Sequence, residues 1–270
     1  MEKFKAYLIQ EEKSELTVEK YVRDVKRFLD WLGSEELSKQ AVLRYKMDLA
    51  EQYAVSSVNS MLSSVNCYLG YLNRQECRVK TIKQQRQIFL EEEKELSKEE
   101  YGRLIRAAKN KPRLCLLMQT IGSTGIRVSE HRFITVEAAK TGCAQVWMKG
   151  KSRVVLLPKK LCTALLNYAR MQKIKSGSIF VTASGKPMDR CNIWAEMKKL
   201  CSTASVSREK VFPHNLRHLF ARIYYGMEHD IVRLADLLGH SNINTTRIYT
   251  MESGYTHRRQ IERMDLIFIT

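Results

Sequence analysis

No apolar run in the 270 residues approaches the ~18 that a membrane-spanning helix requires. Between Met1 and Gln10 no continuous apolar stretch forms, because Glu2, Lys3 and Lys5 interrupt it. No secretory signal is read there, and the cytoplasm, or the nucleoid within it, is the expected compartment. No cysteine pair stands at C-x-x-C spacing: the seven cysteines are odd in number and scattered from Cys67 to Cys201. That argues against zinc and against a disulfide framework, and leaves reduced, mostly buried thiols. Repeats and low-complexity segments are also missing. The shortage with most consequence is of negative charge. Against 46 Lys and Arg stand 29 Asp and Glu, a formal charge of +17. The basic residues run through the whole chain instead of gathering beside an apolar anchor, so the polyanion implied is nucleic acid and not a lipid surface.

What is present begins with helical periodicity. Val18, Tyr21, Val22, Val25, Phe28, Leu29 and Leu32 follow the i, i+3, i+4 rule, with Thr17 as the expected N-cap and Gly33 as the stop. Ser38 is positioned to cap a second helix through Leu49, and Ser56 or Ser57 a third through Leu72. These predict a small helical bundle over residues 1–80. The pattern dissolves after Cys77 into basic and amide residues and then the acidic run Glu91 to Glu95, so a linker is expected over 81–96. Ser97 with Glu100 has capping-box spacing and opens a second domain, 97–270. A helix from Pro112 should end near Gly122 and Gly125. The runs AQVWM and RVVLLP flank Lys149-Gly150-Lys151-Ser152 and predict a β-hairpin with a basic tip. A further strand is expected at Ser178 to Thr182, and helices around Ile193, Pro213 to Tyr225, Ile231 to Leu238 and Ile243 to Thr250.

Four segments of this second domain form an ordered set. They are Thr124-Gly125-Ile126-Arg127-Val128-Ser129-Glu130, then Lys149 to Arg153, then His214-Asn215-Leu216-Arg217-His218, and finally Leu237-Leu238-Gly239-His240 with Tyr249 nine residues on. In this order they resemble the tyrosine recombinase family of phage integrases and Xer-type recombinases. The resemblance covers about Ser97 to Thr250, and the first eighty residues resemble that family's core-binding domain in general character.

The resemblance implies a role for each motif residue, and the chemistry asks for the same types. Attack on a DNA phosphodiester concentrates negative charge on the non-bridging oxygens, and Arg127 and Arg217 offer planar, permanently charged forks to stabilise it. Tyr249 is the implied nucleophile, conserving bond energy as a phosphotyrosine so that resealing needs no ATP. His214 would manage the nucleophile's proton, and His240 would donate to a phosphate oxygen. Lys149 aligns with the family's general acid for the leaving 5′ oxygen; the hairpin tip is slightly short, so Lys151 is an alternative. Glu130 and Ser129 fill positions where the family's acidic group supports the site, whereas His131-Arg132-Phe133 departs from the usual leucine-rich helix. His218 is read as supporting the helix of Arg217, and His131 as structural.

The fold implied is mainly α with a small β-sheet: an N-terminal helical core-binding, SAM-like domain and a catalytic domain with a C-terminal docking tail, together a C-shaped clamp on DNA. The implied partners are a double-stranded core site and three further copies of the chain on synapsed DNA, the free protein being a monomer or weak oligomer. No membrane partner, metal or cofactor is implied, and a directionality factor is left open. The short N-terminus predicts no separate arm-site-binding domain. Type IB topoisomerases and telomere resolvases share this active-site logic, and a non-cleaving DNA-binding protein of the same fold is the reading from another class.

Overall fold

The computed structural model describes residues 1–83, 94–148, 150–182, 184–249 and 262–263, with Lys151 by its backbone alone. It divides into two compact units, Met1–Arg86 and Gln87–Thr270, both mainly helical. Residues 84–93 of the expected linker lie outside the described residues, as does the expected docking tail apart from 262–263. No described helix is long and apolar enough to cross a membrane.

The first unit is built from α1 (Glu2–Gln10), α2 (Glu15–Leu32), α3 (Lys39–Gln52) and α4 (Val55–Tyr71). Phe28, Val42, Tyr45, Leu62 and Val65 form its main core, and Phe4 and Leu8 of α1 pack against Val18 and Val25. The expected Ser38 cap forms, its hydroxyl accepting from Ala41 N–H. Two other expected caps do not. Helix α2 starts one turn earlier than Thr17, with Ser14 in the cap position, because exposed Leu16 carries no amphipathic signal. Helix α4 starts after Ala54, which leaves Ser56 and Ser57 inside its first turn. The buried Asp24 carboxylate joins α2 to α4 by accepting from Ser64 Oγ at 2.9 Å and Lys20 Nζ at 2.6 Å. Beyond a 3₁₀ turn at Gln75–Cys77 the chain runs back along α4, held by two side-chain amides. Asn66 bonds both the N–H and the C=O of Val79, and Asn59 does the same for Ile82.

The second unit opens on α5 (Lys98–Ala107), whose capping box is complete: Ser97 Oγ accepts from Glu100 N–H and the Glu100 carboxylate accepts from Ser97 N–H. Helix α6 (Pro112–Thr124) is buried along most of its length and ends at Gly125 in the left-handed region, φ 64°. A 3₁₀ helix, Val128–Phe133, stands where His131-Arg132-Phe133 departs from a leucine-rich helix, with His131 buried in it and bonded to Val128 O. The short α7 (Val136–Thr141) leads into the antiparallel hairpin β1 (Cys143–Met148) and β2 (Lys151–Leu156), in register from Cys143↔Leu156 to Met148↔Lys151. Next come α8 (Lys159–Met171), α9 (Arg190–Lys198), α10 (Cys201–Ala204), α11 (Pro213–Glu228) and α12 (Ile231–Leu238).

Two expected elements change character. Ser178 to Thr182 is not a sheet strand; among the described residues it makes isolated bridges, Thr135↔Ser178 and Val181↔Pro187, between the turns at Gly177 and Gly185. Of the helix expected over Ile243 to Thr250, the described residues, up to Tyr249, form two 3₁₀ turns instead, Ile243–Thr245 and Arg247–Tyr249. The cause is local: Asn242 accepts from Asn244 N–H with its side chain and from the Thr245 hydroxyl with its carbonyl, and such bonds compete with an α-helical ladder.

Candidate active site

Gly125 turns the chain out of α6, and buried Ile126 anchors the turn, so Arg127 is delivered in extended backbone at the head of the 3₁₀ helix. A side chain at Gly125 would meet the Phe220 ring at 2.4 Å, so both the conformation and the space call for glycine. Glu130 reaches back to accept from Arg127 N–H at 2.8 Å and from Arg127 Nη1 at 3.0 Å. Its other partner is Arg153 of β2, whose Nη2 lies 2.6 Å from Oε2. Burial would raise the Glu130 carboxyl, but the Arg153 bond and charge and the Arg127 amide outweigh it and hold the group below the usual carboxylate range.

Arg217 sits on α11 and is 1% exposed. Its Nη1 donates to Gly125 O at 2.5 Å and its Nη2 to Leu238 O at 2.7 Å and to His240 Nε2 at 2.9 Å. A guanidinium only donates, so Nε2 of His240 accepts, and Nδ1 must carry the proton it shares with Thr246 Oγ1 at 2.9 Å. His240 is therefore neutral. Burial first, then the charges of Arg217, Arg127 and Arg153, bring it down to about 4. His214, at the start of α11, is also brought to about 4 by burial and then by His218, Arg217 and Arg127. Burial lowers even Arg217, to about 10, with the Arg127 charge adding to it.

Tyr249 is 4% exposed and ends the second 3₁₀ turn against Ala221, Leu234 and Leu238. Its ring lies between two imidazoles, the edge-on ring of His218 at 5.0 Å and the near-parallel ring of His240 at 6.2 Å. His218 in turn faces His214 at 4.6 Å and has Nδ1 3.7 Å from Glu95 Oε1. Arg127, Glu130, Arg153, His214, His240 and Tyr249 share the walls of one cleft of about 860 Å³, with Arg217 buried behind it. Five of the six residues singled out by the motifs thus come together, Arg127 from the turn after α6, His214 and Arg217 from α11, and His240 and Tyr249 from the turns beyond α12. The sixth, Lys149, lies outside the described residues, and the Lys151 alternative is described only by its backbone, opposite Met148. Among the described residues no three His, Cys, Asp or Glu side chains cluster as metal ligands.

Residues 94–254 match the phage integrase family, and residues 1–76 match that family's N-terminal SAM-like domain. Tyrosine recombinase XerA of Thermococcus kodakarensis is 30% identical over 280 residues, which is 99% of this chain and 95% of the relative. The chain is a tyrosine recombinase of the phage integrase family. XerA of Pyrococcus furiosus is 29% identical over 99% of this chain and 94% of its own length. The same fold is seen in the XerH recombinase bound to its difH substrate, with TM-score 0.71 and 19% identity over 93% of this chain and 80% of that one. It recurs in a lambda integrase dimer on a COC′ core site, with TM-score 0.72 and 16% identity over 92% and 93%.

As a tyrosine recombinase this protein breaks and rejoins DNA site-specifically. Three members of its site escaped the motifs. Arg153 closed the hairpin motif without being given a role, although its sign was there: it alternates with Val155 on the inward face of β2, an unusual place for an unpartnered charge. Thr246 carries no sequence signal, being one hydroxyl among several. Glu95 belongs to an acidic run, yet it is half-buried beside His218 and Arg222: burial would raise its carboxyl, but the His218 bond and the Arg222 charge hold it below the ordinary range.

Proposed function

We propose that this recombinase cleaves a duplex core site through a 3′-phosphotyrosine on Tyr249, with no metal ion and no ATP. The phenol oxygen attacks the scissile phosphorus as the bond from phosphorus to the 5′ oxygen breaks. Neutral His214 is able to take the phenol proton, and Lys149, with Lys151 as the alternative, returns one to the leaving oxygen. Arg127 and Arg217 carry the charge on the non-bridging oxygens, joined by His240. The observation that supports this most is the convergence of Tyr249 with His214, His240 and Arg127 on one cleft, with Arg217 bonded directly to His240. In the state described, Arg217 and His240 satisfy each other and two backbone carbonyls, so a phosphate would have to take over part of that network.

A 1–80 core-binding domain, an 81–96 linker and a 97–270 catalytic domain would clamp duplex DNA, in the cytoplasm or on the nucleoid, and four copies would act on synapsed sites. The segment after Thr250 would dock on a neighbouring copy. A lambda integrase tetramer has been crystallised on a Holliday junction, which is in keeping with this. The test is a nicked suicide substrate carrying the core site. The wild-type chain should form an SDS-resistant adduct, while Tyr249→Phe should bind the same DNA with unchanged affinity and form none. An adduct with the Phe variant would remove Tyr249 as nucleophile.

A further inference from the structure

The carboxylate of Glu130 is only 2% exposed and is divided between two guanidiniums of unequal freedom. Arg153 is the fixed one. It is 13% exposed, with Nη2 on Glu130 Oε2 at 2.6 Å and Nη1 on Leu237 O at 2.5 Å. Its Cδ occupies space left by Gly239, where an added Cβ would stand 2.3 Å away. Arg127 is the free one. Its side chain is 42% exposed, it meets Glu130 through Nη1 alone at 3.0 Å, and its Nη2 has only a 3.5 Å approach to Gly239 O.

A buried carboxylate with a single arginine beside it draws that arginine into a two-pronged pair, which uses up two of its three nitrogens. Here Oε2 is already taken, by Arg153 and by the Arg127 amide, so the pair cannot form and one edge of the Arg127 guanidinium stays open toward the cleft. The contact with Leu237 O also ties β2, the hairpin strand behind the basic tip, to the end of α12 next to His240.

We propose that Arg153 is a positioning residue which neutralises Glu130, so that Glu130 orients Arg127 without capturing it and Arg127 keeps a free edge for the scissile phosphate. This rests on the reading of Arg127 as a phosphate-binding cation. Without Arg153 the buried carboxylate keeps Arg127 as its one hydrogen-bonded guanidinium among the described residues, and the cation meant for the phosphate is withdrawn.

Single-turnover cleavage of the nicked suicide substrate by the full chain tests this, with half-site affinity measured alongside. Arg153→Ala should slow cleavage by about 10²–10³-fold, the scale of losing one oxyanion donor, while affinity changes by less than about tenfold. The deciding variant is the double, Arg153→Ala with Glu130→Gln. Removing the uncompensated charge should recover at least about tenfold of the lost rate; a double variant as slow as Arg153→Ala or slower means a purely structural arginine and overturns the proposal. Should Arg153→Ala not fold, Arg153→Gln alone and with Glu130→Gln makes the same comparison. Arg127→Ala separates the two readings. Normal cleavage by Arg127→Ala overturns the role of Arg127 and this proposal with it, whereas slow Arg127→Ala beside wild-type Arg153→Ala overturns this proposal alone.

Discussion

Arg127 and Arg217 are given the same task by their motifs, but their surroundings assign them different liabilities. Arg127 is 42% exposed at the cleft wall, so its replacement by alanine should slow cleavage by about 10²–10³-fold and leave the melting temperature nearly unchanged. Arg217→Ala should lose cleavage and also stability, because it strands the carbonyls of Gly125 and Leu238 at roughly 1–3 kcal/mol each, partly offset by no longer burying a guanidinium. Paired activity and thermal-unfolding measurements check this, and equal melting temperatures for the two variants would contradict it. The histidines give a pH signature. His214 and His240 lie near 4 in the fold, against about 6.5 for free imidazole, so the unfolded chain binds more protons than the folded one between those values. Their contribution to stability is complete above about pH 6.5 and is lost as pH falls toward 4. The melting temperature should drop across that window, and a His214→Gln, His240→Gln double variant should flatten the drop.

At the scale of elements, the boundaries that sequence reads well are those written within a few residues of themselves. The capping box at Ser97 and Glu100, the proline opening α6 and the glycine closing it all act inside one turn, and all are found where the pattern puts them. Two elements were misread because distant or competing bonds decide them: Ser178 to Thr182 meets only isolated bridge partners, and the chain around Asn242 prefers side-chain bonds to an α-helical ladder. Helix α8 (Lys159–Met171), absent from the sequence expectations, buries one face through Leu161, Leu165 and Ala169. The exit from the first unit is another tertiary element. Asn59 and Asn66 are both donor and acceptor for Ile82 and Val79, so replacing both with alanine removes four hydrogen bonds at about 1 kcal/mol each. Amide exchange at Val79 and Ile82 should then speed up by at least tenfold while exchange in the α2 core stays slow. Unchanged exchange would mean that burial of Val79 and Cys77 alone holds the segment.

For the whole molecule, the charge of +17 makes DNA affinity a salt-dependent quantity. With on the order of ten phosphates contacted, the slope of log affinity against log salt should be near −9, since each contact contributes about −0.9. A titration from low to physiological salt measures it, and a slope shallower than about −4 would mean that most of the basic surface never meets DNA. Cleavage in the same buffers should be indifferent to EDTA, because arginine, histidine and lysine side chains supply the positive charge that the proposed mechanism requires.

The sequence by itself determined the family, the mainly helical fold and five of the residues that meet in the cleft or just behind it, Arg127, His214, Arg217, His240 and Tyr249. Those signals are short-range: a motif of six or seven residues, a cap three residues from its partner, a tyrosine nine residues beyond a histidine. Only the tertiary structure decided the division of labour among the charges. Arg217 bonds Gly125 across 92 residues, Arg153 reaches Glu130 across 23, and Glu95 comes to lie beside His218. Each of these side chains is equally at home on a solvated surface, so nothing in the local pattern distinguishes a buried charge from an exposed one. Burial does, by making an unpaired charge too costly to keep, and burial exists only once distant segments have come together.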